Sequence, residues 1–102
     1  MTRARSLKKR YVLFELRGAE YDEEKLKRSL YAEALRFFGE FGLSYAALKL
    51  VSYDKAKKQG ILRCERDCMG EVLGFLALLD SLDGTPARVV SLKSSGTLKS
   101  LS

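Results

Sequence analysis

Two cysteines and two arginines fall within nine residues, Gly60-Ile61-Leu62-Arg63-Cys64-Glu65-Arg66-Asp67-Cys68, in a chain with no other cysteine. Thiols so close together suggest a metal site, a disulfide or a nucleophile, and the arginines suggest an acidic partner. A structural zinc needs four cysteine or histidine ligands and a catalytic one usually three. The chain has two cysteines and no histidine, so no metal site held by the protein alone is expected. A cysteine nucleophile wants a base to form the thiolate, and no histidine is present to serve. Cys68 near a helix start has one route to a lowered pKa, yet buried, inert packing is the expectation for both thiols. A Cys64–Cys68 disulfide would have to join a strand face to a residue past the turn into a helix, a poor match to the narrow geometry required.

The carboxylates offer no better catalyst. Asp22, Glu23 and Glu24 are explained by helix capping, and Glu15, Glu65 and Asp67 have no spacing that identifies an acid and base pair. No glycine-rich phosphate loop precedes a helix. The expectation is no catalytic residue, no metal ligand and no cofactor bound by this chain.

At 102 residues the chain fits one domain. Its longest apolar run, Val72 to Leu79, is eight residues, against roughly 20 for a membrane span. No signal sequence follows the basic start, so a cytoplasmic protein is expected. The net charge of +6 is uneven: residues 1–10 carry five Lys/Arg and no acid, and the remainder carries 14 basic against 13 acidic residues, or +1. Residues 1–9 read as a basic arm, a feature that suits polyanions because each neutralised phosphate releases counterions.

The arm leads into a domain over 10–94, followed by a tail over 95–102. A strand is predicted at Tyr11–Arg17, with Val12, Phe14 and Leu16 on its purer apolar face. A helix capped by Asp22 follows, with Leu26, Leu30, Ala34, Phe38 and Phe41 on one stripe and Gly42 as its left-handed end. Strands are predicted at 46–53 and 60–66 around a polar loop, Asp54-Lys55-Ala56-Lys57-Lys58-Gln59. Asp67 is the expected cap of a second helix, and Asp83-Gly84-Thr85-Pro86 the turn that closes it. The last strand, 87–93, sets Val90 and Leu92 against Val89, Ser91 and Lys93. The order β-α-β-β-α-β predicts an α+β, ferredoxin-like fold: a four-stranded antiparallel sheet with both helices on one face. The open face is then expected to carry Tyr11, Leu13, Lys49, Val51, Tyr53, Ile61, Arg63, Val89 and Lys93, too greasy for water alone and too basic for core.

Ferredoxin-like sheets that bind single-stranded RNA stack bases on aromatic residues of the third strand. That strand here has no aromatic, so base-specific stacking on it is not expected, and backbone contact by arginine and lysine is.

Arg10-Tyr11-Val12-Leu13-Phe14-Glu15, Gly60-Ile61-Leu62-Arg63-Cys64-Glu65-Arg66 and Ser95-Gly96-Thr97-Leu98-Lys99, in this order, resemble the ribonuclease P protein component 2 family, the Pop-five subunits of archaea and eukaryotes. The resemblance runs from about Lys8 to Lys99. It implies a non-catalytic protein subunit of ribonuclease P that helps the catalytic RNA fold and act in removing the 5′ leader of precursor tRNA. It also implies that the RNA does the chemistry with divalent magnesium, and that the barrel-shaped component 3 and other protein subunits are partners.

The RNA-contacting candidates are Arg10, Lys55, Lys57, Lys58, Arg63, Arg66 and Lys99. Arg63 and Arg66 are expected to form one phosphate-contacting edge with the neighbouring lysine loop, unless either pairs with Glu15 or Glu65. The protein-partner candidates are Tyr11, Leu13, Val51 and Ile61. Gly96 is expected to permit a tight turn or a close backbone approach. Two other readings fit the fold: a stand-alone RRM-like RNA-binding domain leaning on Tyr11 and Tyr53, and a small-molecule-sensing regulatory domain, which rests on fold analogy alone.

Overall fold

The computed structural model describes residues 8–101. The basic arm is therefore seen only from Lys8, and its residues 1–7 lie outside the described part, as does Ser102. The elements are β1 (Lys9–Arg17), α1 (Glu23–Ala46), β2 (Lys49–Asp54), β3 (Gln59–Glu65), α2 (Met69–Leu78), the two-residue strands β4 (Ser81–Leu82) and β5 (Thr85–Pro86), and β6 (Arg88–Ser95). Four strands form one antiparallel sheet in the order β2-β3-β1-β6, the ferredoxin-like arrangement.

Val12, Phe14 and Leu16 of β1 and Leu62 and Cys64 of β3 alternate into a core shared with Leu26, Leu30 and Ala34 of α1 and Val72, Phe75 and Leu76 of α2. The period-two spacing of the strands and the helical spacing of α1 and α2 meet on one side of the sheet. Asp22 caps α1 as expected, its side chain accepting from the Lys25 amide at 2.8 Å. Tyr31 of α1 accepts the Leu50 amide at 2.8 Å, tying the helix to the edge strand β2.

Four local expectations are corrected. First, α1 does not end at Gly42: it breaks at Gly39 (φ 77°, ψ 167°), resumes, and ends with Ala47 in the left-handed region. Nothing would crowd a side chain at Gly39, so its glycine serves the positive φ. The break swings Phe41 off the stripe, and it is 87% exposed.

Second, β2 starts at Lys49, and a bulge between Leu50 and Ser52 puts two residues where pairing needs one. Leu50 and Tyr53 consequently both face the core, and Tyr53 stacks on Phe14 with ring centroids 6.3 Å apart. Tyr53 does not belong to the open face.

Third, a bulge opposite Leu13 and Phe14 leaves Leu92 without a register partner. The parity of β6 reverses there, so Val89 is core beside Leu16, Val90 lies opposite Glu15 and Leu92 is 45% exposed. Fourth, Asp67 caps nothing: a single 3-10 turn over Arg66–Cys68 precedes α2, whose start has no side-chain cap, and Asp67 instead pairs with Arg66 at 3.6 Å.

Candidate nucleic-acid interface

Antiparallel register places side chains in rows across the open face. One row runs Lys49, Arg63, Tyr11, Ser95, and the next Ser52, Ile61, Leu13, Lys93. Tyr11, Leu13, Ile61 and Arg63 are half-buried. Val51, also half-buried, sits at the β2 bulge and outside both rows.

The middle of this face is not bare. After β6 the chain turns back, and a 3-10 turn over Lys99–Leu101 brings Leu101 beside Leu13 and Ile61. Leu101 is buried there, 7% exposed. Residues read as a tail therefore cover part of the apolar surface that the sequence leaves open.

The cations separate into two groups. Asp54 accepts the amides of Ala56 and Lys57 at 3.0 and 3.3 Å, which shapes the lysine loop between β2 and β3. Lys58 sits at φ 57°, its carbonyl accepting from the Leu16 amide at 2.8 Å and its ammonium 3.8 Å from Glu20. Lys55 and Lys57 remain exposed.

At the other end of the same strands, Lys8, Lys9, Arg10, Arg66 and Gly96 line a cleft of about 280 Å³. The Arg66 amide donates to the Lys8 carbonyl at 3.1 Å and holds this end together. Gly96 has no left-handed backbone, so no turn demands it. The nearest atom to where its Cβ would stand is Arg10 Nη1 at 3.3 Å, the end of a flexible side chain, so no close backbone approach demands it either.

The two groups are six residue steps of β3 apart, or roughly 20 Å at about 3.3 Å per residue. Arg66 and the lysine loop thus do not form the single edge expected of them. Strand order explains why: the loop is where β3 begins and Arg66 is where it has ended. Lys99 is exposed on the returning segment.

Glu15 is taken by Arg17 at 2.9 Å and Glu65 by Lys9 at 3.4 Å, so neither pairs with Arg63. Glu65 is 2% exposed although its parity puts it on the open face, because it lies at the sheet end beside Lys9. Arg63 faces a like charge, Lys49, across β2 and β3, and its Nε is buried without a hydrogen-bond partner among the described residues. Lys49 was visible on the open face in sequence but had no special signal. Only register shows it opposite Arg63.

The thiols behave as packing. Cys64 and Cys68 form no disulfide and are buried. Burial, with Cys68 and Glu65 nearby and Lys9 opposing, pushes the Cys64 thiol up to about 11. Among the described residues no group of three or more His, Cys, Asp or Glu could hold a metal ion, and no helix is long and apolar enough to cross a membrane.

Residues 10–102 match the model of the Rpp14/Pop5 family. A Pyrococcus furiosus protein called ribonuclease P protein component 2 is 32% identical over 95 residues, covering 92% of this chain and 79% of its own length. A Methanocaldococcus jannaschii protein of the same name is 34% identical over 93 residues, covering 90% and 68%. A chain of the yeast ribonuclease MRP structure superposes with a TM-score of 0.58 at 12% identity, covering 94% of this chain and 79% of that one, and supports the fold.

Proposed function

This chain belongs to the Rpp14/Pop5 family, and from that premise we propose that it is a ribonuclease P protein subunit that holds the catalytic RNA in shape without doing the chemistry. The observation that carries the reading is the pairing of family membership with an open sheet face whose two ends are basic. Arg10 and Arg66 at one end, Lys55 and Lys57 at the other, and Arg63 between them are suited to phosphates, each contact adding to a salt-dependent affinity. Lys58 is the weaker candidate because Glu20 engages it. Lys99 lies on the segment that crosses the face. Magnesium, in this reading, is held by the RNA, and precursor tRNA is the substrate of the complex in the cytoplasm.

Of the four residues expected to meet a protein partner such as component 3, Leu13, Val51 and Ile61 keep that role in this reading, while Tyr11 stands in the row of Arg63. Leu101 stands beside Leu13 and Ile61, so a partner there must accept the returning segment or displace it. The RRM-like alternative loses half its aromatic basis with Tyr53 in the core.

Reconstitution tests the reading. The chain is mixed with a component 3 protein and ribonuclease P RNA, and precursor-tRNA cleavage is followed at modest magnesium. A rate above that of the RNA alone is expected. No gain with well-folded proteins would refute it.

A further inference from the structure

The row Lys49, Arg63, Tyr11 combines three features. Two cations stand directly opposite one another on neighbouring strands, where like charges are unfavourable. The Arg63 Nε is buried with no acceptor among the described residues, which leaves the charge poorly satisfied inside the fold, while the residue as a whole is only half-buried. An aromatic ring follows at once on β1, since Tyr11 is the register partner of Arg63. No acidic residue belongs to this row, and Leu101 lines a pocket with Leu13 and Ile61 of the next row.

We propose that Lys49, Arg63 and Tyr11 form a seat for one nucleotide of an unpaired RNA strand, its phosphate between the two cations and its base or ribose against the Tyr11 ring. This rests on the chain being a ribonuclease P subunit, and it adds the class of RNA that the open face takes. A duplex keeps its bases stacked inside and can offer this row only phosphates, whereas an unpaired nucleotide offers both a phosphate and a ring. A guanidinium also suits an oxyanion because its donors lie in one plane. An acidic protein segment would satisfy the two cations and leave Tyr11 without a role.

The full chain is titrated with a short unstructured RNA oligonucleotide and with a duplex of the same length over a range of salt. The unpaired strand is expected to bind more tightly at each salt concentration. Lys49→Gln and Arg63→Gln combined are expected to flatten the plot of log affinity against log salt by about 0.7, the value for the one phosphate they share, and each alone by less. Tyr11→Leu is expected to lower affinity about tenfold with the slope unchanged, while Tyr11→Phe keeps it. Equal binding of the duplex, unchanged slopes in folded glutamine variants, or equal damage from leucine and phenylalanine overturns the seat. Variants that bind RNA normally but lose co-purification with the protein subunits overturn it too, by making the row a protein contact. Wild-type stimulation of precursor-tRNA cleavage, measured in parallel, reports on the subunit assignment separately.

Discussion

The ring of Phe14 occupies the space that a side chain on Gly60 would need: the two are register partners, and a Cβ at position 60 would stand 2.6 Å from Phe14 Cζ. The Ser52 carbonyl would be 2.8 Å away on the other strand. Glycine at the head of "GILRCERDC" is thus what lets Phe14 lie in the core against Tyr53.

Gly60→Ala should therefore destabilise the protein by about 1–3 kcal/mol, the range for overpacking a filled core. Equilibrium denaturation reads this as a lower midpoint. Phe14→Leu in the same chain should make the combined loss smaller than the sum, because both changes act on one space. Full relief is not expected, since the Ser52 carbonyl is backbone and remains.

Tyr31→Phe removes the acceptor of the Leu50 amide, a bond between α1 and the sheet edge. The expected loss is about 1–2 kcal/mol, one partly buried hydrogen bond together with a donor left unmet. Amide exchange at Leu50 should speed up more than exchange in β1, which sits inside the sheet.

Cys64 makes the protein sensitive to alkali. Its thiol ordinarily titrates at 9.0 and is pushed up to about 11 in the fold. The unfolded chain therefore ionises first, so stability is unaffected below pH 9 and falls as pH rises from there to about 11. Two units correspond to at most about 2–3 kcal/mol. Burial also raises the Tyr53 hydroxyl, with Glu20 and Asp54 adding to the effect, so it acts in the same direction at higher pH. Stability measured against pH should fall over this window, and Cys64→Ala should flatten it after its own constant cost. Thiol labelling of the native protein at pH 8 should be slow at Cys64. Rapid labelling in a folded sample would contradict the packing role.

The fold was legible because both periodicities were clean where they mattered: Val12, Phe14 and Leu16 at two, Leu26, Leu30 and Ala34 at four. The two strand errors share one cause. A bulge adds one residue and reverses the side chains on one side of it relative to the other, and no residue type announces it at Val51 or Leu92. Val89 and Tyr53 were thus assigned to the wrong face. The α1 break was half visible, since Gly39 and Gly42 both offered an ending and only Gly39 took a positive φ. The candidate interface was legible as residue types and not as a place. Lys9 with Glu65 and Lys49 with Arg63 are far apart in sequence and meet only through register. Leu98 and Leu101 were the one sign, in a serine-rich stretch, that the tail returns to the sheet.

The separation of the basic groups gives a functional prediction that a single edge would not. Lys55→Glu with Lys57→Glu changes one end, and Arg10→Glu with Arg66→Glu changes the other, roughly 20 Å away at about 3.3 Å per strand residue. Each pair should weaken binding to ribonuclease P RNA and flatten its salt dependence by up to about 1.8, for two helical phosphate contacts. Sites this far apart with no shared partner act independently, so the fourfold variant should show the sum of the two losses to within about 0.5 kcal/mol. Lys58→Glu should do less, because Glu20 already balances that ammonium. Filter binding across a salt series decides the matter. If either pair alone abolishes the salt dependence, the RNA is held at one end of the sheet and the other cations are solvated surface.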